Sequence, residues 1–213
     1  TLLQSGVSVK LTEGAEIIGS KVSMTINGEF QVLGSATSLA KVSGITLHFT
    51  DSCDGYNPAN GSGAYMQFAD VDATNSLYGA IFLSQTDFKI EDSRLLSGSS
   101  TSLDLRSSES SLFISRCEFS GNDFGSLEII YFGNYRPNIY IDNSTFTKGN
   151  LNVGNCIESK VSITKCTFID FDYIRIADPH GVEFMCNTFK NMRKIELENR
   201  NDWGYEGALF RFE

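Results

Sequence analysis

Residues 161–189 read VSITKCTFIDFDYIRIADPHGVEFMCNTF, and within them one structural unit is stated and then begun again. Val161-Ser-Ile163-Thr-Lys-Cys166-Thr-Phe168 returns 21 residues later as Val182-Glu-Phe184-Met-Cys-Asn187-Thr-Phe189. Between the copies lies a second alternating run, Tyr173-Ile174-Arg175-Ile176. Two short period-2 segments in each unit of about 20 residues, repeated in series, suit a β-solenoid and not a helical repeat.

Working outward, three earlier copies align: Phe88-Lys-Ile90-Glu-Asp-Ser93-Arg-Leu95, Leu112-Phe-Ile114-Ser-Arg-Cys117-Glu-Phe119 and Ile139-Tyr-Ile141-Asp-Asn-Ser144-Thr-Phe146. Their closing residues are 24, 27, 22 and 21 apart down to Phe189. Each copy has two inward apolar residues, a small or amide residue two before the end, and a large apolar residue closing it. The small column reads Ser93, Cys117, Ser144, Cys166, Asn187. Side chains of that size fit a sharp bend and can share hydrogen bonds up a stack. A second strand follows each copy: Leu103-Asp-Leu105, Leu127-Glu-Ile129, Leu151-Asn-Val153, Ile174-Arg-Ile176 and Ile195-Glu-Leu197. Three short strands per coil, stacked ~4.8 Å apart, predict an all-β parallel β-helix.

The pattern resembles the right-handed, single-stranded parallel β-helix of the pectate-lyase-like superfamily. The repeats fit about 7–8 coils in this chain, and the resemblance implies that the small column lies at the turn between the second and third sheets. The strand after it falls in the first sheet, where many members place their sites. It is also the only ground for expecting a secreted, extracellular or cell-surface protein.

Residues 1–213 suit one domain, with 1–20 expected as an N-terminal cap, 21–213 as coils, and the whole as part of a longer protein. Val22–Ile26, Asn27-Gly28 and Glu29–Leu33 read as an early coil with a tight turn. Ile45–Phe49 reads as the first strand of a later copy with Ser52 in the small column. The loop 53–63 follows, then Tyr65–Ala69 as the third strand, Asp70–Gly79 as a long turn and Ala80–Leu83 as the first-sheet strand. No apolar run approaches the ~20 residues of a spanning helix. No basic-then-apolar leader follows Thr1, so a signal peptide is expected to be already removed or never encoded. A net charge of −9 argues against nucleic acid, which needs clustered cations, and against attraction to an anionic membrane. Five cysteines leave at least one unpaired. Cys117 and Cys166 fall two coils apart, too far for a disulfide, and Cys186 is one register off Cys166.

Candidate sites concentrate on the outward column of the first sheet: Asp104, Glu128, Asn152, Arg175, Glu196. Asp104 and Glu128 on adjacent coils would repel by about 1 kcal/mol in water, which suits a cation, a raised-pKa acid or a retaining carboxylate pair. Ser126–Ile130 and Tyr173–Ile176 resemble the calcium-binding and arginine strands of chondroitinase-B-like and alginate lyases. The likeness implies that Glu128 helps hold calcium and that Arg175 assists β-elimination. Separately, His180 in an exit turn has the chemistry of a proton-transfer group. The chain departs from that family at Ser126 and at Tyr131, where an acidic ligand and a lysine base would stand. The exit turns carry Tyr135, Arg136, Trp203 and Tyr205, which suit sugar C–H faces and hydroxyls. The outward positions Glu91, Ser115, Asp142, Thr164 and Met185 of the other repeated strand show no comparable grouping with aromatics. Asp70, Asp72 and Asn75 alternate like ligands of a calcium loop without an EF-hand's glycine or distal glutamate. The expectation is a non-catalytic, adhesin-like or fibre-like module binding polysaccharide, cell-surface glycan or a protein partner along the first sheet. The alternative is a lyase or glycoside hydrolase using Asp104, Glu128, Arg175 and His180 on an acidic glycan.

Overall fold

The structure, a computed structural model, describes residues 1–76, 79–96, 103–105, 110–121, 127–129, 138–153, 160–177, 181–198 and 209–212, with 103–105, 127–129 and 209–212 described by backbone alone. Strands pair in parallel throughout as a β-solenoid of about seven turns, and no helix occurs among the described residues.

Nine strands make the second sheet: β2 (Ser8–Leu11), β4 (Glu29–Leu33), β6 (Tyr65–Gln67), β9 (Phe88–Glu91), β12 (Ser111–Ser115), β15 (Asn138–Asp142), β17 (Lys160–Thr164), β19 (Gly181–Met185) and β22 (Leu209–Phe212). The third and first sheets run together as one bent sheet. Its strands are β1 (Leu2–Leu3), β3 (Glu16–Ile26), β5 (Ala40–Phe49), β7 (Ala69–Asp72), β8 (Ile81–Leu83), β10 (Arg94–Leu96), β11 (Leu103–Leu105), β13 (Glu118–Ser120), β14 (Leu127–Ile129), β16 (Thr145–Val153), β18 (Thr167–Ala177), β20 (Thr188–Lys190) and β21 (Lys194–Glu198). Strands β3, β5, β16 and β18 cross the corner in one piece and turn on left-handed residues such as Lys21, Gly44, Lys148 and Asp170. At Gly44 a Cβ would lie 2.1 Å from the Gly19 carbonyl oxygen, so only glycine lets the coils approach there.

The bend between the second and third sheets has one recurring cause. Phe68, Asp92, Arg116, Asn143, Lys165 and Cys186 all sit at φ between 47° and 56°, each immediately before the small residue. Such a conformation costs a non-glycine residue about 1 kcal/mol, so something must over-determine it. Hydrogen bonds between coils do. Ser93 Oγ accepts from the Ala69 N–H, Ser144 Oγ from Cys117 and Asn187 Oδ1 from Cys166, at 2.8–3.0 Å. Cys117 and Cys166 fill the intervening levels as buried free thiols whose pKa burial pushes up to about 12 and about 11. Cys186 is free and exposed, on the opposite side of the wall from Cys166.

Phe119, Phe146 and Phe168 stack inside, ring centroids 4.9 and 5.0 Å apart. Phe189, on β20, the last third-sheet strand among the described residues, continues the stack at 5.4 Å and is 37% exposed.

The early coils correct the sequence reading. Ile45–Phe49 is a first-sheet strand, with Leu47–Phe49 on Ile81–Leu83. Tyr65–Gln67 pairs with Lys89–Glu91 as a second-sheet strand, and Asp70–Asp72 is third-sheet strand rather than turn. The true copy is Ala64-x-Met66-x-x-Ala69-x-Val71, and the register extends the small column through Ala69 to Ala40. Ser52 is exposed and outside that column. Residues 1–20 supply β1, β2 and the start of β3, all paired in coil register.

Candidate functional site

The outward column of the first sheet keeps the register that the repeat implies. Glu128 pairs with Asn152, Asn152 with Arg175 and Arg175 with Glu196; Asp104 pairs with Phe82, and β11 runs alongside β14. The side chains of Asp104 and Glu128 lie outside the described residues, as do His180, Tyr135, Arg136, Trp203 and Tyr205. The described side chains are largely spent on one another. Arg175 makes a two-pronged pair with Glu198, Nε–Oε1 3.0 Å and Nη2–Oε2 2.9 Å, which holds the guanidinium pKa above its ordinary value. Lys194 Nζ lies 2.9 Å from Glu196. The Asn150 and Asn152 Oδ1 atoms are buried without a partner, so no ligand reaches them without a side-chain rotation.

The calcium candidates are similarly occupied. Asp70 takes both prongs of Arg94 at 2.7 Å, Asp72 caps the turn by accepting from the Thr74 N–H and hydroxyl, and the Asn75 carbonyl accepts from the Lys21 N–H. Among the described residues no three His, Cys, Asp or Glu side chains come together as a metal site.

Among the described residues an aromatic grouping lies on the outer face of the second sheet, which corrects the expectation that this face has none. Lys89, Phe113, Tyr140, Ser162 and Glu183 occupy one outward row on successive coils, two residues before the row read in the sequence. Phe113 and Tyr140 stack with centroids 5.2 Å apart and planes 8° from parallel. Tyr56, from the 53–63 loop, meets Phe113 edge-on at 6.0 Å and Tyr65 at 5.5 Å. Lys89 Nζ lies 5.4 and 5.3 Å from the Tyr56 and Tyr65 ring centroids, a cation–π arrangement.

Beside this strip, nearly buried Glu91 gathers the Tyr65 hydroxyl, Lys89 at 3.0 Å and Arg116 at 2.9 Å. Burial alone would raise its pKa; the three donors outweigh it and hold the carboxyl below its ordinary value. Arg116 also grips Asp92 through Nε and Nη2, lowering that carboxyl too. Beyond Tyr140 the face changes character. Ser162, Thr164, Asp142 and Glu183 offer hydroxyls and carboxylates, with Lys160 Nζ 3.9 Å from Glu183. The signal was present in the repeat: Leu112-Phe-Ile114 and Ile139-Tyr-Ile141 place aromatics at the outward position between two core residues.

No family model, curated protein or solved structure matches this chain.

Proposed function

We propose that this chain is a non-catalytic, extracellular solenoid module that binds polysaccharide across the coils of its second sheet. The observation that carries the reading is the outward strip Tyr56, Phe113, Tyr140, continuous with the polar group Ser162, Thr164 and Glu183. The outward edges of the stacked rings give an apolar surface for sugar C–H groups, while hydroxyls and carboxylates take the sugar's hydroxyls. Coils repeat every ~4.8 Å, close to one saccharide, so a chain lying along the axis meets a new side chain at each residue. The first sheet supports this role less well, because Arg175 and Glu196 already hold Glu198 and Lys194. The same pairing takes from the lyase alternative the arginine it depends on.

Incubation with a panel of neutral and acidic polysaccharides, with and without calcium, tests the reading. Retention of the protein on a polysaccharide without unsaturated products or new reducing ends is expected. Turnover, abolished in Glu128→Ala or Arg175→Ala, would replace binding by catalysis.

A further inference from the structure

We infer that the cleft beside the loop of residues 35–39 binds an aliphatic cation, a lysine-like ammonium carried on a hydrocarbon stem. The cleft lies where the second sheet bends into the third, and it follows from a break in the repeat. Leu33 and Ala40 have Gln67 and Ala69 as register partners on the next coil. Residues 34–39 stand between the first pair, where the second pair has only Phe68. The added loop is anchored at both ends. The Gly34 N–H donates to the Gln67 carbonyl at 2.9 Å and the Ala40 N–H to that of Phe68 at 3.1 Å, while Ser35 and Ser38 exchange backbone hydrogen bonds at 3.0 and 3.1 Å. Insertions into a solenoid repeat gather on one face and often form its binding surface. Between this loop and the side chains of Arg116 and Glu118, three coils further on, lies a cavity of about 350 Å³, the size of a small-ligand cleft.

Part of the lining is apolar: Ala36 and Leu39 from the loop, and Phe68. Phe68 takes the left-handed bend position that later coils give to Asp92, Arg116, Asn143, Lys165 and Cys186, and it is only half-buried. A bulky side chain is the least suited to that conformation. Placed there it gives the cleft apolar surface for a hydrocarbon stem and a π system for a cation. The charged rim sets the sign of the ligand. Glu16, Lys41, Asp70, Arg94 and Glu118 form one outward row of alternating charge on the third sheet, followed by Thr145. Each cation in or beside this row already holds an acid. Lys41 lies 2.7 Å from Glu16, Arg94 sends both prongs to Asp70, Arg116 grips Asp92, and Lys89 lies 3.0 Å from Glu91. Glu13 accepts from the Ser35 hydroxyl of the loop. Glu118 is the acid left over: it lines the cavity, and among the described residues no ion pair or hydrogen bond holds its carboxylate. An entering anion would compete with Asp70 and Asp92 for their guanidinium groups and face Glu118 as well. An alkylammonium finds Glu118 for its charge and Phe68, Leu39 and Ala36 for its stem.

Amide NMR titration of the whole chain tests this with N-acetyl-lysine methylamide, diaminopentane, and the methylamides of N-acetyl-norleucine and N-acetyl-glutamate. The two cations should shift the amides of Leu39, Phe68, Ser93 and Glu118, and the norleucine and glutamate probes should bind at least tenfold more weakly. Tighter binding of the blocked lysine would assign the site to a basic side chain of a protein partner, tighter binding of diaminopentane to a free polyamine, and either supports the inference. Glu118→Gln, an exposed and nearly isosteric change, should weaken both cations at least tenfold. Phe68→Asn should weaken them too while the melting temperature holds or rises, because asparagine takes the left-handed conformation readily. A norleucine probe that matches lysine, cation binding untouched by Glu118→Gln, shifts confined to other parts of the chain, or no binding of either cation overturns the site.

Discussion

The two halves of the solenoid fill the same cross-section with different residues from different walls. In the early coils the large rings come from the second and first sheets. Phe30, Phe49 and Phe88 meet edge-on at 6.0 and 5.3 Å, while the third sheet contributes Val42 and Val71. In the later coils the third sheet supplies the rings Phe119, Phe146 and Phe168, stacked within 15° of parallel. There the other walls are mainly aliphatic, with Ile139, Ile141, Val161, Ile163, Leu151, Val153, Ile174 and Ile176; Phe184 joins them from the second sheet, and Phe171 at the corner meets Phe146 and Phe168 edge-on at 6.3 and 5.3 Å. Rings from one column share a backbone position and stack face to face; rings from facing walls interdigitate at an angle. Close packing asks only that each coil fill its cross-section, and different columns supply the large residues in the two halves.

Removing a ring should therefore cost the same in either half. Phe146→Ala opens a cavity in a one-dimensional stack and should lose about 3–5 kcal/mol in denaturant unfolding, and Phe49→Ala should match it. A loss below about 1 kcal/mol at either position would mean that its half is loosely packed and the comparison fails.

The reciprocal experiment is smaller. Val71 stands in register with Leu95, which in turn pairs with Phe119, so Val71→Phe would start the later stack one wall away from Phe49 and Phe88. If volume per coil is fixed, the extra ring overpacks that level and should cost about 1–3 kcal/mol. A neutral or stabilising result, read as an unchanged or raised melting temperature, would show spare room in the early coils.

The same contrast explains what could be read from sequence. The later coils announce themselves because one column repeats a recognisable pair, a small residue and then Phe, at intervals of 21–27 residues. The early coils keep the backbone register but use Ala40 and Ala69 for the small column and Val42 and Val71 for the closing one, residues that carry no individual signal. The long excursion from Asp51 to Gly63 separates Ile45–Phe49 from the true copy, and its alternation is just as good although it belongs to a different wall. The first-sheet column was legible because register follows from period-2 alternation alone. That Arg175 is taken by Glu198, two residues beyond its register partner, depends on side-chain reach and not on pattern. The aromatic strip was legible in two of its members, Phe113 and Tyr140. Tyr56 arrives from a loop whose path the repeat does not specify.

The smallest expected effect lies on the outer surface of the solenoid, where the two packing regimes meet. Arg116, on the coil of Phe119, reaches back to Glu91 and Asp92 on the coil of Phe88 and so bridges the junction on its outer surface. Both carboxyls are held below their ordinary values of 4.5 and 3.8 in the folded chain. A group depressed in this way contributes stability above its unfolded pKa and loses it as the pH falls through the folded one. The bridge should therefore act fully at pH 7, begin to fade near pH 4.5 and vanish once both carboxyls are protonated. Arg116 is nearly half exposed, so solvent and salt limit the bridge to about 1 kcal/mol or less. Thermal melts of the wild type and Arg116→Met from pH 7 down to pH 3 should start about that far apart and converge, and 0.5 M salt should narrow the gap at pH 7. A gap that stays constant across the titration would mean that Arg116 joins the two halves through the packing of its aliphatic stem, and the junction would then be held by apolar contact on both sides of the wall.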